Sequence, residues 1–230
     1  VVSKSATRPT PEDLERIDAS PLRCFDPDAE AAMLEEVKAT AKAGDSLGGV
    51  VEVLAYGVPV GLGSHAQWDR RLDALLGQAL MSIQAVKGVE IGDGFEMAAR
   101  RGSEAHDAIE WDAAGRGYLR RTDRAGGVEG GMSNGSLLVA RAAMKPLATL
   151  NRPTLKTVDV VTKQESVSFK ERTDVTAVPA MGVVAETMVA LVLAGEALRK
   201  FGGDSIAELA RNHRAFCADL AEGDVGGTIG

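Results

Sequence analysis

The stretch AVPAMGVVAETMVALVLAG, residues 177–195, is the longest apolar run of the chain and decides the fold. Its nineteen residues contain one charged side chain, Glu186. Pro179 suits the first turn of a helix, and the two glycines at 202–203 are typical of a helix end. The sequence therefore predicts a long helix from Pro179 to Lys200.

This apolar run approaches the length of about 20 residues that spans a membrane. Glu186, Thr187 and Pro179 interrupt it, and the charged segment EALRKFGGDS follows directly. Such interruptions are more typical of a helix inside a protein core than of a membrane span. We therefore predict a buried core helix, and we expect no membrane partner.

The segments before and after this helix alternate between helical and extended patterns. Asp26 and Pro27 predict a helix start, and Gly44 predicts its end. Residues 48–63 predict a β-hairpin around Tyr56–Gly57, because two apolar runs flank a turn. Further predicted elements are an amphipathic helix over 68–88, helices over 95–100, over 206–219 and after Thr10, and strands in 116–123, 136–144 and 155–161. This mixed order indicates an α+β or α/β protein, with one domain over residues 1–230.

The composition narrows the class of function. The chain has 230 residues and a net charge of −7, which argues against nucleic acid as a partner because phosphate backbones attract basic surfaces. A small anionic ligand remains compatible, since local charge matters more for it than the total. Cys24 and Cys217 lack metal-binding spacing and indicate a reduced, cytoplasmic protein. The three histidines predict neither a catalytic triad nor a metal site.

Three segments could bind a ligand. The loop GGVEGGMSNG, residues 126–135, has five glycines in ten residues and could bring backbone N–H groups close to a ligand. MKPLAT, residues 144–149, could hold an anion at a strand end. Gln84 could hydrogen-bond the edge of a planar ring. The alternatives are a surface turn, an ordinary strand terminus and a solvent-facing glutamine.

Arg172 and Asp174 stand one residue apart, in the loop before the predicted long helix. A helix N-terminus favours an anion, and the guanidinium of Arg172 would add a bidentate donor. Asp174 could be an ordinary cap or an ion-pair partner. It could also accept a proton from a bound ligand.

Five segments together resemble the chorismate synthase family, especially its bacterial members. They are GDSLGG (44–49), SIQAVKGVEIGDGF (82–95), GGMSNG (130–135), MKPLAT (144–149) and RTDVTAVPAMGVVAE (172–186), in the order and spacing of that family. The resemblance implies conversion of 5-enolpyruvylshikimate 3-phosphate to chorismate by a 1,4-elimination of phosphate, with reduced FMN. It also implies a β-α-β sandwich of the α+β class, a homotetramer and a place in cytoplasmic aromatic biosynthesis.

The resemblance also implies roles for individual residues. Asp174 matches the family acid near the flavin, and Arg172 matches a residue beside both substrate and cofactor. Thr173 between them replaces the usual Ser or His, which is a mild departure. The implied flavin-binding residues are Gln84, Ala85, Gly130, Lys145, Pro146, Leu147, Ala148, Thr149 and Arg172.

Family members extend much further at the N-terminus than this chain does. That part carries two histidines of proton transfer and several phosphate-binding arginines, and neither set maps onto this sequence. Residue 1 is Val rather than Met, which fits a C-terminal portion of a longer enzyme. We therefore expect residues 1–230 alone to be inactive. The alternative is a flavin- or anion-binding module, or a structural fragment of that fold.

Overall fold

The computed structural model describes residues 7–112 and 117–222. Its helices and strands alternate in mixed order, which confirms the α+β class. The helices are α1 (Leu14–Ala19), α2 (Pro27–Ala43), α3 (Leu72–Met81), α4 (Phe95–Ala98), α5 (Gly102–Ala105), α6 (Val178–Phe201) and α7 (Ile206–Glu222). The strands are β1 (Gly49–Ala55), β2 (Val86–Ile91), β3 (Ile109–Asp112), β4 (Gly117–Arg120), β5 (Val128–Glu129), β6 (Met132–Ser133), β7 (Leu138–Met144), β8 (Lys156–Val158) and β9 (Glu165–Val167).

The strands form a three-stranded sheet of order β1-β7-β2 and the two-stranded pairs β3-β4, β5-β6 and β8-β9. The chain divides into two compact units. The first unit comprises Val1–Val51, Ile83–Gly88 and Ala142–Ala185, and the second comprises Glu52–Ser82, Val89–Arg141 and Glu186–Gly230. The single domain expected over residues 1–230 stays a prediction.

In the first unit, the predicted signals at both ends of α2 are confirmed. The carboxylate of Asp26 accepts hydrogen bonds from the backbone N–H groups of Asp28 and Ala29. Gly44 ends the helix with a φ of 71°, a left-handed conformation that glycine adopts without steric cost. These caps satisfy backbone groups that a helix leaves open at its ends.

In the second unit, α3 supplies one side of an apolar core. Leu72, Leu76 and Leu80 are fully buried and recur at a spacing of four residues, which places them on one helix face. Ser133 is also buried and connects two segments, because its Oγ accepts from Leu62 N–H and donates to the Pro59 carbonyl. A buried polar group with both kinds of partner is satisfied.

Helix α6 has the predicted bounds within two residues, but the prediction that it is a buried core helix is wrong for the described chain. Met181, Ala185 and Val189 are buried, whereas Val183, Val184, Leu191 and Leu198 are 46–63% exposed. Between Val178 and Gly195 the helix carries one charged residue, Glu186, so the sequence of this stretch gives little indication of an exposed face. By length and composition α6 could cross a membrane, a property that core helices share. The absence of a membrane partner stays a prediction.

Two other predictions are corrected. The hairpin over 48–63 is wrong: β1 pairs with β7, and the run after Tyr56 forms no strand. Two backbone groups of this run bind Ser133 instead: Gly61 N–H donates to the Ser133 carbonyl, and Leu62 N–H donates to the Ser133 hydroxyl. The helix over 68–88 is too long, because α3 ends at Met81 and residues from Val86 onward form β2.

Asp107 organises a loop of the second unit and makes its stability dependent on pH. Burial raises the pKa of this carboxyl, but hydrogen bonds from the Thr122 hydroxyl and from the Ala125 and Arg124 N–H groups lower it below its ordinary value. A carboxyl whose pKa is lower in the folded state stabilises that state above its unfolded pKa. This contribution is lost as the pH falls through the folded pKa.

We expect Asp107→Asn to lower the free energy of unfolding at pH 7 by about 1–3 kcal/mol, since the amide cannot accept all three bonds. The difference from the parent protein should shrink as the pH falls below the ordinary aspartate pKa of about 4 and then through the lower pKa of the folded state. Urea denaturation at several pH values measures both quantities. The exposed Asp69→Asn is the matched control, and equal pH profiles for the two variants would contradict this role.

Candidate active site

The turn between α3 and β2 contains Gln84 and Ala85. Gln84 is exposed. Ala85 has a φ of 65°, which lies in the left-handed region that residues other than glycine rarely adopt. The Ala85 carbonyl accepts a hydrogen bond of 2.9 Å from Lys145 N–H. Two segments that lie 60 residues apart in the sequence, the turn and MKPLAT, are therefore joined through their backbones.

The MKPLAT segment follows β7 and is held from its other side by the segment GDSLGG. The buried Ser46 donates from Oγ to the Leu147 carbonyl over 2.6 Å. Gly48 lies so close that a Cβ there would be 2.4 Å from the Met144 carbonyl oxygen and 2.9 Å from Pro146 N. Ser46 and Gly48 thus fix the path of the backbone beside Lys145.

The loop before α6 lies against the end of MKPLAT. The hydroxyl of Thr149 donates to that of Thr173 over 2.9 Å, and Glu171 N–H donates to the Leu150 carbonyl. These bonds place the loop carrying Arg172 and Asp174 next to the segment that carries Lys145. The first unit therefore brings together three of the predicted segments.

Arg172 and Asp174 form a long ion pair of 3.9 Å between Nη1 and Oδ1. The two side chains are 92% and 75% exposed. An exposed pair of this kind contributes little stability, typically below about 1 kcal/mol. Because this ion pair is weak, both side chains can reorient toward a ligand.

Gly130 lies in the second unit, at the turn between β5 and β6. It has a φ of 60°, and no described atom lies within 4 Å of the position that a Cβ would take. The turn residue therefore offers open backbone on its outer side. Its predicted contact with a flavin stays a prediction.

Comparison with known proteins gives the decisive observation for this set of segments. The family model for chorismate synthase matches residues 2–198, most of the chain. The chain belongs to the chorismate synthase family. The resemblance carried by the five segments is thereby confirmed.

Individual chorismate synthases agree with this assignment. The chain is 63% identical to that of Thermobifida fusca over 219 residues, and 62% identical to that of Acidothermus cellulolyticus over 212 residues. These alignments cover 95% and 92% of this chain but 55% and 53% of the relatives. A crystal structure of chorismate synthase matches with a TM-score of 0.75 and 41% identity, over 90% of this chain and 54% of that chain. The chain thus spans about half the length of the chorismate synthases that it matches.

Sequence reasoning missed two residues of this candidate chorismate synthase site. Ser46 and Gly48 lie in the family segment GDSLGG, and the sequence alone assigns neither a separate role, yet they hold MKPLAT in place. The sequence signal for this supporting role is a serine and a glycine two residues apart, directly before a strand. Neither contacts a predicted ligand group directly, so we assign them a positioning role.

Proposed function

We propose that the protein is a chorismate synthase that converts 5-enolpyruvylshikimate 3-phosphate to chorismate and phosphate by a 1,4-elimination. Family membership over residues 2–198 is the observation that carries this proposal. The juxtaposition of the turn at Ala85, MKPLAT and the Arg172 loop supports it. This reaction belongs to the shikimate pathway of aromatic amino acid synthesis.

The donor set of the first unit fits FMN. Lys145 and Arg172 are exposed cations that suit a phosphate or an anionic ring edge, and Gln84 and Thr149 add an amide and a hydroxyl. Reduced FMN, when bound, supplies the electronic step that amino-acid side chains cannot perform. The chain's own residues would bind and orient it.

Arg172 and Asp174 have complementary tasks in this proposal. The substrate carries a phosphate and two carboxylates, so the guanidinium of Arg172 would bind an anionic group. The carboxylate of Asp174 would accept or pass a proton at the edge of the bound cofactor. The Thr149–Thr173 hydrogen bond would keep the loop with both residues beside MKPLAT.

For residues 1–230 alone we propose ligand binding without turnover. The chain covers little more than half of its relatives' length, and its motif-matched cations are Lys145 and Arg172. Two cations do not match three anionic groups and a cofactor phosphate. We also propose, from the family, a cytoplasmic homotetramer that binds a phosphorylated small molecule and neither nucleic acid nor a membrane.

An anaerobic assay with reduced FMN and 5-enolpyruvylshikimate 3-phosphate tests both proposals. The full-length protein should form chorismate, and the 230-residue chain should not exceed the control without enzyme. A folded full-length protein that forms no chorismate would refute the activity. Turnover by the 230-residue chain would show that it contains the whole catalytic set.

Replacing Lys145 should weaken the binding of FMN. We expect Lys145→Ala to raise the Kd about tenfold to a hundredfold, because one charge-assisted hydrogen bond contributes about 1.5–3 kcal/mol. The backbone bond from residue 145 to Ala85 survives this change. Titration of flavin fluorescence in the full-length protein measures the Kd.

The control for this experiment is Lys42→Ala, which removes the same charge at the exposed end of α2. It should leave the Kd within about twofold. If both variants bind FMN like the parent, MKPLAT is a strand end and not part of the flavin site.

A further inference from the structure

The pair β8–β9 forms an arm that leaves the candidate site between Thr149 and Arg172. Its register is Lys156 with Val167, Thr157 with Ser166 and Val158 with Glu165. The residues from 151 to 167 are all exposed, so within the described residues neither face of the arm is covered. We call residues 155–169 the β8–β9 arm.

The turn of the β8–β9 arm is well ordered by its own hydrogen bonds. The carboxylate of Asp159 accepts from Thr162 N–H and Val161 N–H, and these bonds lower its pKa. Asp159 N–H donates to the Gln164 carbonyl across the turn. The two strands therefore have a defined register and defined faces.

The two faces of the β8–β9 arm differ in chemistry. Residues paired in an antiparallel ladder project to the same side, and alternate residues project to opposite sides. Thr157 and Ser166 therefore share a polar face. The other face, which we call the valine face, carries Lys156, Val158, Glu165 and Val167.

The valine face exposes apolar surface without a partner. Val158 and Val167 are 54% and 56% exposed, and Phe169, which alternation places on the same side, is 84% exposed. A two-stranded hairpin alone is marginally stable in water. An ordered arm with an open apolar face therefore indicates a surface that docks onto something.

The charges on the valine face identify the occupant. Lys156 and Glu165 occupy opposite corners of a patch about 5 Å by 7 Å, and Val158 and Val167 occupy the other two corners. Among the described residues, neither Lys156 nor Glu165 has an ion-pair partner. A two-fold axis along the valine diagonal would place each Lys156 over Glu165 of a second copy, and each valine over its own counterpart.

We propose that the valine face docks onto the valine face of a second copy of this chain, with the two arms crossing at about 70°. Such a crossing is nearer to the orthogonal than to the aligned arrangement of two packed sheets. An isologous contact requires a self-complementary patch, and the diagonal placement of charges provides one. This inference names a surface and does not depend on the proposed activity.

The size of the patch determines the strength of the contact. A stable interface buries about 800 Å² on each partner, and a face of five or six side chains is smaller than that. The 230-residue chain should therefore form a weak dimer through this surface. Reversing a charge should weaken it further, because each reversal replaces two attractive contacts by two repulsive ones.

A charge-swap experiment tests the proposal on the 230-residue chain by sedimentation equilibrium. Lys156→Glu and Glu165→Lys should each raise the dimer dissociation constant about tenfold or more. The double variant, with both charges exchanged, should recover the parent value. An equimolar mixture of the two single variants should associate like the parent, because every contact then joins Glu to Lys.

Thr157→Glu is the matched control, since it adds a negative charge to the opposite face of the arm. It should leave the dissociation constant within about twofold. The proposal is overturned if the single reversals leave self-association unchanged, or if the mixture associates no better than either variant alone. Self-association that persists in all variants would assign the contact to another surface, such as the exposed side of α6.

Discussion

Asp174→Asn should lower kcat for chorismate formation by about 10²- to 10⁴-fold, the range that a positioned acid or base contributes. Asparagine keeps the shape of the side chain and removes the proton acceptor. The carboxylate is 75% exposed and makes one long contact, with Arg172, so the fold does not depend on it. The Kd for FMN should therefore stay close to that of the parent protein.

The control for Asp174→Asn is Glu171→Gln. Glu171 is exposed and lies in the same loop, and its hydrogen bond to Leu150 is made by the backbone N–H, which the substitution keeps. Steady-state kinetics and a flavin titration on the full-length variants separate turnover from binding. A folded Asp174→Asn protein with parent-like kcat would exclude the proton-transfer role. Loss of FMN binding in that variant would instead make Asp174 a binding residue.

Gly92→Ala should destabilise the second unit by about 3–5 kcal/mol. Gly92 has a φ of 61°, and a left-handed conformation costs an L-residue about 1–2 kcal/mol. A Cβ would also lie 2.2 Å from the Arg124 carbonyl oxygen and 2.5 Å from Gly126 N. Backbone atoms cannot move aside as a flexible side chain does, so the overlap adds about 2–3 kcal/mol. This loss is a large part of the 5–15 kcal/mol that stabilises a typical domain.

Gly57→Ala separates the two causes of this loss. Gly57 also has a positive φ, 69°, but no described atom lies within 4 Å of its Cβ position. That variant should lose only the conformational contribution of about 1–2 kcal/mol. Chemical denaturation of both variants measures the difference, and equal losses would show that the close approach of Gly92 to Gly126 relaxes at little cost.

Local signals in the sequence predicted the elements that local interactions determine. The cap at Asp26, the stop at Gly44 and the bounds of α6 depend on residues within a few positions, and the structure has them where expected. The extent of burial of α6 was not predictable in the same way. Hydropathy gives the apolar content of a helix, whereas burial depends on which neighbours the rest of the chain provides.

The hairpin predicted around Tyr56–Gly57 failed for a related reason. Its two runs have the right alternation, but β1 pairs with β7, which lies about 90 residues later in the chain. Such long-range pairing leaves no trace in a short window. The candidate site shows the same contrast between local and long-range information. Sequence motifs predicted Lys145, Arg172 and Asp174, whereas the supporting contacts of Ser46 and Gly48 are seen only in the structure.

The positive φ of Ala85 restricts the residue types that can occupy this position. Glycine, asparagine and aspartate adopt positive φ more readily than alanine, and β-branched side chains are nearly excluded there. The backbone cannot rotate to accommodate them without withdrawing the carbonyl that receives Lys145 N–H. In a mutational library at residue 85, the backbone conformation would therefore decide which substitutions are tolerated, although the side chain itself is only partly buried.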